Sequence, residues 1–392
     1  MNILYLLNRY PKLSESFVIN EIHELERRGH TIAVYSLREP EDNVHHDEVE
    51  EIDAPIGYLP DPSVGSALGT PGSWMTDHRI LGRTLHPSSP VVHVGAMYVT
   101  GHLERFIRSL PFDIEHIHGH FLNWPKFAAD YLAARYEVPW TTTVHAYGLF
   151  SDPKPRLNRR LLDRMDRVIT ISEYNRRYLQ EEIGTVSPID VVHMGINLEK
   201  FQPTSHVFEN RILTVARFEE KKGITDGLAA IADLTNHYES IEYHLIGSGP
   251  REPHIRDMIT DLGLEDVVSL LGHLSDDQLL RELDEASVFL LPCKVAKNGD
   301  RDGIPVAMME AMAMKCVPIS TRISGIPELI THGENGLLAD PTNVASLTDQ
   351  LYCLYDNEYA PNRCDIRRAV ASAFSIDATV STLEASFEKS KR

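Results

Sequence analysis

Residues 1–37 read MNILYLLNRYPKLSESFVINEIHELERRGHTIAVYSL, and this stretch decides the fold class. Ile3–Leu7 is a short apolar run that ends at a turn. Phe17, Ile19, Ile22 and Leu25 follow with charges between them, the spacing of a helix with one apolar face. Ser14 stands where an N-cap is expected and Gly29 where the helix should stop. Thr31–Leu37 then reads as a second strand. Strand, helix and strand within forty residues make a βαβ unit, which predicts a parallel sheet.

The alternation fades after this unit. Residues 55–100 hold Pro60, Pro62, Pro71, Pro87 and Pro90 among several glycines and read as a flexible excursion, with a flap over an acceptor site as the sharper reading. Alternation resumes with strands expected at Ile114–His118, Trp140–His145, Val168–Ile171 and Val191–His193, and one intervening helix opening at Pro125. The polar segment Asn197–Asn210, which contains Pro203, reads as a linker. A second βα series follows, with strands expected at Ile212–Ala216, Tyr243–Ile246, Val267–Leu271, Val288–Leu291 and Val317–Ser320. The expected organisation is therefore α/β: two Rossmann-like domains with parallel sheets, residues 1–203 and 204–375, followed by a C-terminal helix in 376–392. Ligands in such folds bind beyond the carboxyl ends of the strands.

Composition narrows the function classes. The 392 residues are 42% hydrophobic and 24% charged, ordinary for a packed chain. Thirty-eight Lys and Arg against 57 Asp and Glu give a formal charge of −19, a field that repels nucleic acid. Four scattered cysteines, none in a CxxC pair, fit reduced thiols in a cytoplasmic protein. The N-terminus lacks the cationic lead-in of a signal peptide, and no apolar stretch is long enough to span a membrane.

Four segments carry candidate chemistry, three of them at expected strand ends and one at a helix start. Asp302-Gly-Ile-Pro-Val-Ala-Met-Met-Glu310 opens a helix. Gly303 allows close backbone approach, and Ile304, Pro305 and Val306 lie at a helix start whose free N–H groups suit an anion. Val215-Ala-Arg217-Phe-Glu-Glu-Lys221-Lys222-Gly223 places cations for a diphosphate, or is a solvated charge run. Gly247-Ser248-Gly249 is a tight turn, either cradling a ligand or plain. Thr143-Val-His145-Ala-Tyr147 and His118-Gly-His120 offer imidazoles at strand ends, catalytic or structural. Asp300-Arg-Asp302 matches a DxD metal motif, but its position just before a Gly-Pro helix start favours no metal, with Asp300 as a solvated loop residue.

Together these segments resemble glycosyltransferase family 4, retaining nucleotide-sugar transferases of the GT-B fold. Asp302 to Glu310 is similar to the family's acidic-x7-Glu motif, with Asp in the first place. Leu13-Ser-Glu-Ser-Phe-Val18, Ile169-Thr-Ile-Ser172, Val192-His-Met-Gly-Ile-Asn197, Ser324-Gly-Ile-Pro-Glu328 and Gly333-Glu-Asn-Gly336 resemble its exopolysaccharide, colanic-acid-type branch. The resemblance implies two domains facing across a cleft, acceptor side first and nucleotide-sugar side second, with the last helix packing back toward the first. It implies that Arg217 and Lys222 hold the donor diphosphate and that Glu310 binds the ribose. Asp302 and Gly303 would face the donor sugar, and His273 and Leu274 would lie near the base.

The resemblance further implies that His145, Asp302 and Glu310 form the catalytic set, with Gly247, Gly249, Ile304, Pro305 and Val306 completing donor binding. Ser14, Glu15 and Ser16, which replace the family's Gly-Gly loop, together with His118 and Tyr147, are expected on the acceptor side. The expected activity is transfer of a hexosyl-type unit from a nucleotide diphosphate sugar to a carbohydrate or glycolipid acceptor in polysaccharide or glycoconjugate biosynthesis. No cofactor and no metal are expected. A GT-B epimerase or phosphorylase, or a non-catalytic nucleotide-sugar-binding protein, is the alternative. The expected location is cytoplasmic or peripheral at the inner face of the membrane. Residues 1–110 carry 9 Lys and Arg against 15 Asp and Glu, which weakens attraction to an anionic bilayer.

Overall fold

A computed structural model describes residues 1–12, 15–40, 47–61, 90–151, 155–204 and 208–391. It divides into two compact units, Met1–Ile171 with Asn175–Val192 and Thr379–Arg392, and Ser172–Tyr174 with His193–Ala378.

The first unit is built on a seven-stranded, wholly parallel sheet. Its strands are β1 (Asn2–Leu7), β2 (Thr31–Ser36), β3 (Ile56–Tyr58), β4 (His116–His120), β5 (Trp140–Val144), β6 (Arg167–Thr170) and β7 (Ile189–Val191), in the order β3-β2-β1-β4-β5-β6-β7. The helix Ser16–Arg27 crosses between β1 and β2 and buries Ile19, Ile22 and Leu25 of the apolar face read from the sequence, together with Val18, while Phe17 is only partly buried. Arg28 follows as C-cap, and Gly29 takes φ +86°, the left-handed geometry in which a helix is readily terminated. Glu15 occupies the N-cap position without a side-chain capping bond, and Ser14 lies outside the described residues.

The excursion expected at 55–100 is corrected at both ends. Ile56–Tyr58 pairs as the edge strand beside β2, and Pro90–Ser109 is a helix of five turns. Only three residues form β3, too few for alternation to register in a sequence. Residues 62–89 lie outside the described residues. From Thr379 the last helix, Ile376–Ser390, belongs to this unit: the Phe387 ring lies tilted against His116 with centroids 4.4 Å apart, and Glu384 pairs with Arg28 and His30, each at 2.7 Å.

The second unit repeats the plan with six parallel strands, β8 (Phe208–Val215), β9 (Glu242–Ile246), β10 (Val268–Gly272), β11 (Ala286–Leu290), β12 (Val317–Thr321) and β13 (Leu337–Ala339), in the order β10-β9-β8-β11-β12-β13. Apolar side chains cover both faces of this sheet. Phe289, Met308, Met309 and Met312 pack on one side, and Leu228, Ile231, Leu245 and Leu351 on the other. Each such buried side chain contributes about 1.5–3 kcal/mol. Its helices are capped locally, as where Ser275 and Gln278 form a reciprocal capping box at the helix Asp276–Glu285.

The division between units falls after Val192, earlier than the expected 203. The polar segment taken as a linker fails as one because Phe201 is buried in the core of the second unit and Leu198 packs against it. In both sheets the strand order reverses once, between β1 and β4 and between β8 and β11. The carboxyl ends of those pairs open a crevice where α/β proteins place ligands.

Candidate functional site

In the second unit the loops after β8, β9, β10 and β11 converge at the reversal point. The chain leaves β8 through Ala216 and Arg217 and makes a single 3₁₀ turn at Glu220–Lys222. It then reverses at Gly223, whose φ is +66°. A Cβ on Gly223 would stand 1.8 Å from the Pro292 carbonyl oxygen, so the loops after β8 and β11 touch backbone to backbone. Gly247 has φ +121°, and a Cβ there would meet the Ala216 oxygen at 2.0 Å. A Cβ on Gly249 would meet the Phe218 backbone at 2.7 Å. The Phe218 N–H donates to the Ser248 carbonyl at 2.8 Å, and Ser248 Oγ lies 2.7 Å from His273 Nε2. These glycines are therefore required by close approach, whatever ligand they serve.

The charged groups of these loops form one network. Lys222 Nζ sits 2.6 Å from Asp302 Oδ2, and Lys221 Nζ lies 3.0 Å from Asp300 Oδ2 and 3.7 Å from Asp302 Oδ1. Glu219 connects Lys221 at 3.7 Å to Arg217 at 2.9 Å. Burial opposes ionisation of Lys222, but Asp302 outweighs it and holds the ammonium above its usual range. Burial likewise works against the Asp302 carboxylate, and Lys222 and Lys221 overcome it, so Asp302 stays below the usual carboxylate range. Burial and then Asp302 push the Cys293 thiol well up, so this sulfur is no thiolate nucleophile. Asp300 is corrected from a solvated loop residue to a partner of Lys221; the lysine, far off in sequence in the loop after β8, gave no local signal.

The helix Val306–Ala313 begins at Pro305 with no side-chain cap, so Asp302 is not its N-cap. Ile304 and Gly303 are buried just ahead of it, Val306 is partly exposed in its first turn, and Glu310 is partly exposed within it. Arg217 is 63% exposed, the accessible cation of the set. The second unit thus brings together Arg217, Lys222, Gly247, Gly249, His273, Asp302 and the start of the helix at Pro305. Leu274 packs partly buried against the core beneath.

In the first unit the sequence-selected imidazoles form a buried chain beside the reversal of β1 and β4. His145, 5% exposed, directly follows β5, and its Nε2 lies 3.0 Å from His120 Nδ1. His120 Nε2 lies 3.1 Å from Glu21 Oε1, which also accepts the Tyr5 hydroxyl at 2.6 Å. Burial, then the neighbouring His120, hold His145 well below its usual pKa, so it is neutral. His118, expected on the acceptor side, is instead fully buried, with Nδ1 and Nε2 on the Thr141 and Thr143 hydroxyls at 2.7 and 3.2 Å. Strand alternation explains this, since His116, His118 and His120 share one face of β4. Tyr147 is 61% exposed, Glu15 pairs with Lys12, and Ser16 opens the first helix.

Two residues escaped sequence reading. Glu21 lies mid-helix among surface charges, and only its distance to His120 reveals a role. Lys126 is fully buried beneath Gly119, with Nζ donating to the Leu6 carbonyl at 2.9 Å, and burial lowers its pKa to about 7. Glu21, His118 and His120 lie close enough together to hold a metal, but the His118 nitrogens are engaged by the Thr141 and Thr143 hydroxyls and the His120 nitrogens by His145 and Glu21.

Two doubly wound parallel sheets, one carrying cations and an uncapped helix start at its reversal point, define a Rossmann-type fold whose second unit holds groups suited to an anion. The pattern described as "Glycosyltransferase Family 4" matches residues 14–200, and that of "Glycosyl transferases group 1" matches residues 196–369. The chain belongs to glycosyltransferase family 4. It is 41% identical over 179 residues to the amylovoran biosynthesis glycosyltransferase AmsK of Erwinia amylovora, covering 43% of this chain and 42% of that protein. It is 35% identical over 196 residues to the putative colanic acid biosynthesis glycosyltransferase WcaL of Escherichia coli K12, covering 49% and 48%. The chain spans less than half the length of these curated relatives. Among solved structures, Anabaena Alr3699/HepE in complex with UDP and glucose is similar in fold, with a TM-score of 0.72 at 16% identity over 99% of both chains. The fold is GT-B.

Proposed function

We propose that this chain transfers a sugar from a nucleotide diphosphate sugar to a hydroxyl of a carbohydrate or glycolipid acceptor, with retention of anomeric configuration, in exopolysaccharide assembly. The observation that carries the reading is the convergence of Arg217, Lys222 and the uncapped start of the helix Val306–Ala313 at the β8/β11 reversal point. Two likenesses support it: AmsK and WcaL are named for exopolysaccharide biosynthesis, and HepE, similar in fold, holds UDP.

The chemistry follows from charge. Breaking a glycosyl–phosphate bond leaves negative charge on the departing diphosphate and positive charge at the anomeric carbon. Arg217, Lys222 and the N–H groups after Pro305 stabilise the first, and preorganised groups of this kind are usually the largest catalytic contribution. Asp302 keeps Lys222 charged despite burial and lies by the same loop as Gly303, facing the donor sugar. Glu310 takes the ribose hydroxyls, and His273 and Leu274 lie by the base. His145 meets sugar hydroxyls as a neutral imidazole. Lys221, Lys222 and Arg217 neutralise the diphosphate without a divalent ion, so turnover is expected to persist in EDTA; loss on chelation and recovery with Mg²⁺ or Mn²⁺ would refute that part.

The expected location is cytoplasmic, with peripheral contact at the inner face of a membrane. No described helix is long and apolar enough to cross one. Arg156, Arg159, Arg160 and Arg164 line an open hollow with Asp163 at the helix Pro155–Leu162, a net basic surface on an acidic chain although Arg159 pairs with Asp163 and Arg164 with Asp130. Charge reversal at Arg156 and Arg159 should abolish sedimentation with anionic vesicles and spare nucleotide binding. The reading as a whole is tested by Lys222→Met. Loss of a charge-assisted phosphate contact, about 1.5–3 kcal/mol, should weaken nucleoside diphosphate binding about tenfold or more. Unchanged affinity would remove Lys222 from the site.

A further inference from the structure

We propose that Glu21 and His120 are positioning residues that fix the tautomer of His145, so that its Nδ1 is a bare acceptor for a sugar hydroxyl. The proposal rests on His145 facing substrate, as proposed above, and assigns a task to two buried residues, of which Glu21 lies in no motif.

The direction of the chain of hydrogen bonds follows from its two ends. The Tyr5 phenol is buried and beside Glu21, which together hold its pKa well up, so its hydroxyl donates. A carboxylate accepts only, so Glu21 Oε1 takes the Tyr5 proton donor at 2.6 Å and requires an N–H from His120 Nε2 at 3.1 Å. A neutral imidazole carries one N–H. The proposal takes His120 with that single N–H at Nε2, which leaves its Nδ1 an acceptor and makes the nitrogen 3.0 Å away, His145 Nε2, the donor. His145 is neutral, so its remaining nitrogen, Nδ1, carries the lone pair.

Packing holds the ring in that pose. Phe17 and Phe121 lie 5.0 and 4.5 Å from the His145 ring centroid, and His120 stacks on it at 5.3 Å and 25°. His145 is also the N-cap residue of the turn Ala146–Leu149, which fixes its backbone. An acceptor nitrogen selects for O–H groups and against phosphate oxygens. This separates its ligand from the diphosphate, whose cations belong to the second unit.

The test combines one spectroscopic and one kinetic measurement on the full chain. Long-range ¹⁵N–¹H correlation on ¹⁵N-histidine protein, assigned with His145→Gln and His120→Asn, reads protonation of each ring nitrogen without any substrate. The expected result at pH 7 is Nε2–H for both His120 and His145, with Nδ1 unprotonated in each. A doubly protonated His120, or Nδ1–H on His145, overturns the proposal, as does a shift of the His118 and His120 signals on adding Zn²⁺, which would make them ligands.

In kinetics, Glu21→Gln should lower kcat about ten- to a hundredfold, with donor KM and melting midpoint little changed. In a His145→Ala background the same change should have no further effect, because the relay acts only through that ring. Equal losses in both backgrounds would make Glu21 a general structural residue and refute the relay. Should Glu21→Gln unfold, Tyr5→Phe replaces it, with a smaller loss expected in wild type and none in His145→Ala. Absence of turnover with every donor would reject the transferase reading, while the nitrogen signals would still decide the tautomer.

Discussion

Asparagine at position 302 offers a sharp test of the network, because Asp302→Asn removes one charge from a buried pair and almost no volume. Lys222 and Asp302 side chains are only 16% and 13% exposed, with Nζ and Oδ2 2.6 Å apart. Removing one partner of a buried pair typically costs about 3–5 kcal/mol, because the other charge stays buried without compensation. Here the carboxamide oxygen can still accept from Lys222, and Lys221 keeps Asp300 at 3.0 Å. The expected loss is therefore about 2–3 kcal/mol. For a unit of this size that lowers its melting midpoint by roughly 4–12 °C.

The pair also sets a pH window. Asp302 titrates below its unfolded range, so its contribution is present above that range and lost as pH falls through the folded value. Lys222 titrates above its unfolded value of 10.5, so its contribution is present below 10.5 and lost as pH rises through the folded value. Circular dichroism melts at pH 7, with nucleoside diphosphate titrations by calorimetry, read both consequences. Asp302→Asn should melt early and lose kcat while still binding the diphosphate, since Lys222 is released toward it. The double variant Lys222→Met with Asp302→Leu should regain most of the stability and none of the activity. A single variant that melts with wild type, or a double variant no more stable than the single, would refute the reasoning.

Gly247→Ala should destabilise the second unit by more than about 3 kcal/mol and abolish diphosphate binding, because its φ of +121° and the 2.0 Å approach to Ala216 leave no room for a methyl group. Gly263→Ala, at φ +65° with nothing within 4 Å, should cost only about 1 kcal/mol; equal losses in urea titrations would show that the close approach is not the cause. Lys126 has its pKa lowered by burial to about 7, so the unfolded chain binds the extra proton between about 7 and 10.5, and stability should rise with pH there. Lys126→Met should flatten that rise and stabilise the protein at pH 7, and an unchanged pH dependence would count against the buried ammonium.

The sequence exposed the frame because each long element repeats a simple period. Phe17, Ile19, Ile22 and Leu25 mark one helix face, and continuous apolar runs such as Val288–Leu291 mark strands buried on both sides. Strands of three residues, β3 and β13, are too short to show alternation, and the helix Pro90–Ser109 begins directly after a proline-rich stretch that masks it. Arg217 and Lys222 were legible as chemistry at a strand end and Asp302 at a helix start, but the pairing of Lys222 with Asp302 was not. Lys222 and Asp302 are eighty residues apart and meet only because β8 and β11 are neighbours in the sheet. The same holds for Glu21 and His120, brought together by β1 and β4. Residue type announces what a side chain can do; topology decides what it does it with.

The central claim is sugar transfer from a nucleotide diphosphate donor. Its most direct measurement is nucleoside diphosphate release by the full chain across a panel of nucleotide sugars, with and without carbohydrate and glycolipid acceptors, the products weighed by mass spectrometry. The account predicts release with one donor that accelerates on adding an acceptor, and an acceptor mass increased by one sugar residue. Turnover that needs free phosphate or no acceptor at all, or a chain that neither binds nor turns over any nucleotide sugar, would contradict it.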